Sequence, residues 1–134
     1  MKRLHVHIGV SDIPASVAFY AKLFGEAPTT QENDYAKWML EDPRVNFAIS
    51  ARAKHRGVDH LGLQTDDEVE LTQLRDRLKS GDVAMWHEGQ VQCCYAESEK
   101  SWAQDPDGVA WEAFTTMDTV NTYYGDSPKT CDPR

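Results

Sequence analysis

Two stretches of this chain carry one pattern. His5 stands in an alternating apolar/polar run and is followed seven positions later by Asp12; His60 stands in a second such run and is followed at the same distance by Asp67. Further on, Asp42-Pro43-Arg44-Val45-Asn46-Phe47-Ala48 runs parallel to Asp105-Pro106-Asp107-Gly108-Val109-Ala110-Trp111-Glu112, with one extra glycine in the second copy. An internal repeat restricts the fold more than composition does, because equivalent segments build equivalent units. The reading is α+β: two repeated βαβββ modules, about residues 4–50 and 57–116, within a single domain over 1–117, with a polar tail at 118–134. Two such curved sheets packed together form a mixed-sheet, barrel-like cleft.

Periodicity supports each module. Leu4, Val6, Ile8 and Val10 share one face of a strand, and His5, His7 and Gly9 the other. Ser11-Asp12 is expected to cap a helix, with Pro14 in its first turn. Ile13, Val17, Tyr20 and Phe24 form one helical face, and Gly25 stops the helix. Strands are expected at Ala27–Gln31, Tyr35–Leu40 and Val45–Ser50. In the second copy Val58–Leu63 opens, Asp66-Asp67 caps, and Val69, Leu71, Leu74 and Leu78 line a helix ended by Gly81. Strands at Val83–Glu88, Val91–Ala96, Ser101–Ala103 and Val109–Thr116 follow. Trp38, Trp86, Trp102 and Trp111 fall on strands and are mostly core, given how deeply tryptophan is buried on average.

At 134 residues the chain is long enough for one real core. Its charge, 14 basic against 22 acidic residues or −8, argues against a nucleic-acid partner, which wants a basic face. The one basic cluster, Arg52, Lys54, His55 and Arg56, reads as a solvated connector. Met1-Lys2-Arg3 leads straight into an alternating strand rather than an apolar leader, and no apolar run approaches the ~18 residues of a membrane span. Three cysteines without an export signal read as free thiols of a reducing cytoplasm.

Repeat-equivalent positions converge on one cleft, and there the histidines acquire chemistry. His5 and His60 open the two modules and Glu112 lies on the last strand of the second; its counterpart, Ala48, cannot bind metal. Two histidines and one carboxylate with open positions are the ligand pattern of non-heme Fe(II) oxygenases. His7, on the same face as His5, competes with it and is expected at the rim or behind the ligands. Cys93 and Cys94 are a vicinal thiol pair, and thiolates select soft, thiophilic species. Neighbours in a regular strand face opposite ways, so both sulfurs reach one atom only where the backbone bends; otherwise one is core and the other incidental.

The repeated module, the His5…Asp12 start with Ser16-Val17-Ala18-Phe19-Tyr20, and the Asp105-Pro106-Asp107-Gly108…Trp111-Glu112 ending resemble the vicinal oxygen chelate superfamily of glyoxalase I, bleomycin-resistance proteins and extradiol dioxygenases. Tyr35-Ala36-Lys37, Leu40-Glu41-Asp42-Pro43, Val58-Asp59-His60-Leu61-Gly62 and Cys93-Cys94-Tyr95-Ala96 are similar to its organoarsenical C–As lyase branch, close relatives of cadmium-induced proteins. The resemblance implies a cytoplasmic Fe(II)- and O2-dependent lyase. It would convert trivalent organoarsenicals, such as methylarsenite or reduced aromatic arsenicals, to arsenite. It implies that His5, His60 and Glu112 hold iron, with nickel, cobalt or zinc as crystal substitutes, and that Cys93 and Cys94 hold arsenic. Tyr95 and Trp38 are further substrate-contact candidates, and a homodimer would be usual for the superfamily. Three alternatives remain: a thiol-based arsenic or cadmium sequestration protein, with Cys131 as a third sulfur; a glyoxalase-type metalloenzyme, which would want a fourth ligand where Ala48 stands; and a metal-free drug-binding module, in which His5, His60 and Glu112 would be coincidence.

Overall fold

The computed structural model of the protein describes residues 1–93 and 96–119, and along 88–93, 96–99 and 116–119 the backbone alone. Its elements run β1 (Arg3–Gly9), α1 (Ile13–Phe24), β2 (Thr30–Glu32), β3 (Tyr35–Glu41), β4 (Arg44–Ser50), β5 (Gly57–Gln64), α2 (Glu68–Ser80), β6 (Met85–Cys93), β7 (Ala96–Gln104) and β8 (Ala110–Thr119). The chain divides into two compact units, Arg3–Leu61 and, with Met1 and Lys2, the residues from Gly62 on. The division falls inside β5. None of the described helices is long and apolar enough to cross a membrane.

In the first unit β1 pairs in parallel with β4, β4 antiparallel with β3, and β3 antiparallel with the short β2. Asp12 caps α1 by accepting a hydrogen bond from the Ala15 amide at 2.9 Å, and Gly25 ends it in the left-handed conformation at φ 77°. That conformation is cheap for glycine alone, because it lacks a Cβ. The helix lays Ile13, Val17, Tyr20 and Phe24 on a core of Trp38, Leu40, Phe47 and Ile49. Its aromatic rings pack tilted or edge to face, Tyr20 on Phe47 at 4.6 Å and Phe24 on Trp38 at 5.7 Å. β1 is half-buried, and its deeper face is the imidazole one: His5, His7 and Gly9 are buried, whereas Val6 and Ile8 are intermediate and Leu4 is exposed. The expected strand Ala27–Gln31 is observed as Thr30–Glu32, which pairs with Tyr35–Lys37.

The second unit repeats the capping chemistry. Asp67 accepts from the Glu70 amide at 2.8 Å, and the Glu70 carboxylate accepts from the Asp66 amide at 3.0 Å. Leu71 and Leu74 of α2 pack on Ala113 and Leu63. Arg75 of α2 donates from Nε to the Ser101 hydroxyl, which lies 2.7 Å from Nδ1 of His87. Where sequence suggested strands at Val83–Glu88, Val91–Ala96 and Ser101–Ala103, there are two long ones, β6 and β7, paired antiparallel with each other and then with β8. The strands expected on either side of Gly89 and Gln90 join: the register shifts between His87 and Gly89, and one strand continues through a bulge. The module is therefore βαβββ with longer arms.

Candidate metal centre

Three imidazoles converge within the first unit. His5 and His7 come from one face of β1, two residues apart, and His60 from β5. Their exposures are 5%, 3% and 2%, and their ligating atoms all lie within 4.8 Å of one another. The partners at Nδ1 assign the tautomers. Nδ1 of His5 lies 3.2 Å from the Asn46 carbonyl oxygen, which can only accept, so this nitrogen carries the proton. Nδ1 of His60 lies 2.8 Å from the Asp59 carboxylate and donates to it in the same way.

Each of these rings in its neutral form then presents a lone pair at Nε2, and the two Nε2 atoms face each other at 3.2 Å. Two lone pairs at that distance repel unless a proton or a metal ion lies between them. Around a tetrahedral ion with metal–nitrogen bonds of ~2.0–2.1 Å, neighbouring nitrogens stand ~3.3 Å apart. A carboxylate or carbonyl behind each ring is also how metal sites fix imidazole orientation and strengthen the ligand. The donor set fits a borderline divalent ion, for which neutral imidazole is a good ligand and which it prefers over magnesium or calcium.

Glu112 belongs to the second unit, on β8, with 2% exposure. Lys100 of β7, 5% exposed, donates from Nζ to Glu112 Oε2 at 2.5 Å and stands 5.2 Å from the centre of the Phe114 ring. A buried carboxylate needs such a partner, because desolvation otherwise outweighs its other interactions. The backbone at Gly62 passes so close to Glu112 that a Cβ there would meet the Glu112 carbonyl oxygen at 2.6 Å.

The structure thus brings His5 and His60 together as their register implied and adds His7 to them. Cys93 is the last residue of β6, opposite Ala96. Cys94, Tyr95 and Cys131 lie outside the described residues. Trp38, suggested as a pocket wall, is instead fully enclosed in the core, where its indole N–H donates to the Glu26 carbonyl at 3.0 Å. Sequence reasoning missed Lys100 and Asp59. Lys100 shares strand parity with Trp102, so period-2 alternation marked it as inward despite its charge; Asp59 was visible as the acidic neighbour of His60.

Residues 2–113 match a family model described as the Glyoxalase/Bleomycin resistance protein/Dioxygenase superfamily. The chain is 38% identical to a trivalent organoarsenical cleaving enzyme of Bacillus sp. (strain MD1), over 98% of this chain and 83% of that one. It is 26% identical to the cadmium-induced protein CadI of Mycobacterium bovis (strain ATCC BAA-935 / AF2122/97), over 96% and 85%. Among solved structures, an extradiol ring-cleaving dioxygenase from B.fuscum superposes with a TM-score of 0.64 at 11% identity, covering 89% of this chain and 34% of that one, a likeness of fold. The α+β fold read from the repeat is the fold these proteins share.

Proposed function

Because this chain belongs to the Glyoxalase/Bleomycin resistance protein/Dioxygenase superfamily, we propose that it is an enzyme breaking the carbon–arsenic bond of trivalent organoarsenicals, with arsenite as product and detoxification as role. Methylarsenite and reduced aromatic arsenicals are the substrates of this reading. The structural observation that supports it most is the apposition of the His5 and His60 Nε2 atoms at 3.2 Å, each ring held from behind by an acceptor.

In this reading His5, His60 and Glu112 hold Fe(II), which supplies the activation of O2 toward the As–C bond. Nickel, cobalt or zinc would occupy the same ligands in a crystal. The remaining work falls to the chain. Cys93 and Cys94, as thiolates, displace the two exchangeable oxygens of methylarsenite and leave its As–C bond free, so that binding orients the substrate before chemistry. Tyr95 contacts the bound arsenical. The Asn46 carbonyl and Asp59 keep the two imidazoles in their ligating tautomers, and Lys100 orients the Glu112 carboxylate. The thiols stay reduced in the cytoplasm, and a homodimer is the assembly the superfamily favours.

A relative named as a cadmium-induced protein, at 26% identity, favours a second reading, thiol-based sequestration of arsenic or cadmium. An aerobic assay of Fe(II)-loaded protein with methylarsenite separates the two. The enzyme releases arsenite over many turnovers. Tight, thiol-dependent binding without arsenite release sinks the enzyme reading and leaves sequestration. Cys93→Ser and Cys94→Ser are expected to lose the arsenical while retaining metal, and His60→Ala to lose metal while retaining the arsenical.

A further inference from the structure

The two modules are packed differently on the helix side of their strands. Ala48 and Glu112 are repeat-equivalent, so their neighbours Phe47 and Trp111 are equivalent too. The register partners of those two, Trp38 on β3 and Ala103 on β7, then correspond, and so do Ile49 and Ala113. Counted from the caps Asp12 and Asp67, Tyr20 corresponds to Arg75 and Phe24 to Lys79. In the first module Tyr20 and Phe24 close on the fully buried indole of Trp38, with ring centres 6.1 and 5.7 Å away. In the second module two alanines and two cations stand at those four positions.

The consequence is a cavity. Leu63, Leu74, Leu78, Val83, Ala103 and Trp111 surround about 330 Å³ between α2 and the β7–β8 pair, wholly within the second unit. Its mouth is at Gln104 and Pro106, both exposed. Protein interiors hold few voids larger than a water, and the wall atoms of an apolar void lack packing partners. A cavity of ~150 Å³ already accepts benzene, and ~300–1,000 Å³ is the range of small-molecule sites. We propose that this cavity is a binding site for a neutral, flat aromatic molecule of one or two rings, seated where the first module keeps the indole of Trp38. The polar groups of its wall are already engaged. The Ser101 hydroxyl accepts from Arg75 Nε at 2.5 Å and lies 2.7 Å from Nδ1 of His87. The Asp105 carboxylate accepts from the Asp107 and Val109 amides at 2.9 Å, and Glu112 is held by Lys100. A charged ligand would lose its hydration there without gaining a counter-charge, whereas an uncharged ring loses little.

The inference does not rest on the cleavage reading, and neither metal nor arsenical enters its test. The full chain is titrated with indole, and separately with indole-3-carboxylate, while the leucine and valine methyl resonances are followed by NMR. Wild type is expected to bind one equivalent of indole saturably, with the shifts centred on Leu63, Leu74, Leu78 and Val83 and with a raised Tm. Indole-3-carboxylate is expected to bind more than ~10-fold more weakly, because its charge is desolvated. Ala103→Trp restores the side chain of the first module and is expected to abolish indole binding. Ala113→Ile, a smaller filling that likewise copies the first module, is expected to weaken it and decides the matter if Ala103→Trp does not fold. Absence of saturable binding to wild type, shifts centred on other methyl groups, or undiminished affinity in the folded variants overturns the assignment. Failure of arsenite release leaves these titrations untouched.

Discussion

The row His7–Ala48 in the first module and the row Gly62–Glu112 in the second occupy equivalent places with opposite contents. One pairs an imidazole with a methyl group; the other pairs a carboxylate with no side chain at all. Room for one large polar group is preserved while its chemistry and its strand of origin change. The lesson is that a repeat keeps its strands and register more faithfully than its side chains.

The largest expected effect falls on the second row. Glu112→Ala removes one partner of a buried ion pair with Lys100 and is expected to cost about 3–5 kcal/mol of stability. Urea unfolding measures it, and adding Lys100→Met should recover a sizeable part. If the double variant is no more stable than Glu112→Ala, the two residues are not coupled and the row is not the polar counterpart described above.

A smaller loss tests the glycine of that row. Gly62→Ala puts a Cβ within 2.6 Å of a backbone oxygen, which cannot swing aside like a side-chain tip. A cost of about 1–3 kcal/mol is expected, typical of overpacking. A variant as stable as wild type in the same unfolding experiment would show that the strands part easily there and that glycine is not required.

The smallest effect distinguishes the two helix starts, capped alike by Asp12 and Asp67. Only the second adds Glu70, whose carboxyl is held below its ordinary value by the Asp66 amide and then by Lys2. A lowered carboxyl favours the folded state above the ordinary value of 4.5, and this contribution fades as pH falls through the lower folded value. The pH dependence of unfolding below 4.5 should therefore be shallower in Glu70→Gln than in wild type. Identical profiles would make the two caps equivalent.

Much of this was legible before any coordinates. The seven-residue spacing from histidine to capping aspartate located β1, α1, β5 and α2, because caps and alternation are local properties. The same register placed His5 and His60 together. The long β6–β7 hairpin was not legible: whether Gly89 breaks a strand or sits in a bulge depends on the strand opposite, and β7 supplies pairing on both sides of it. Lys100 was missed for a related reason. A charge on an inward position reads as an error until its partner is known, and Glu112 lies twelve residues away on another strand.

By itself the sequence determined the module, its duplication and which residue types can bind a metal, since each rests on spacing along one strand or helix. Only the tertiary structure decided which nitrogens face each other, that Asn46 and Asp59 set their tautomers, that Trp38 is core, and that His7 joins the imidazoles. Those outcomes depend on distances between strands, which no periodicity encodes.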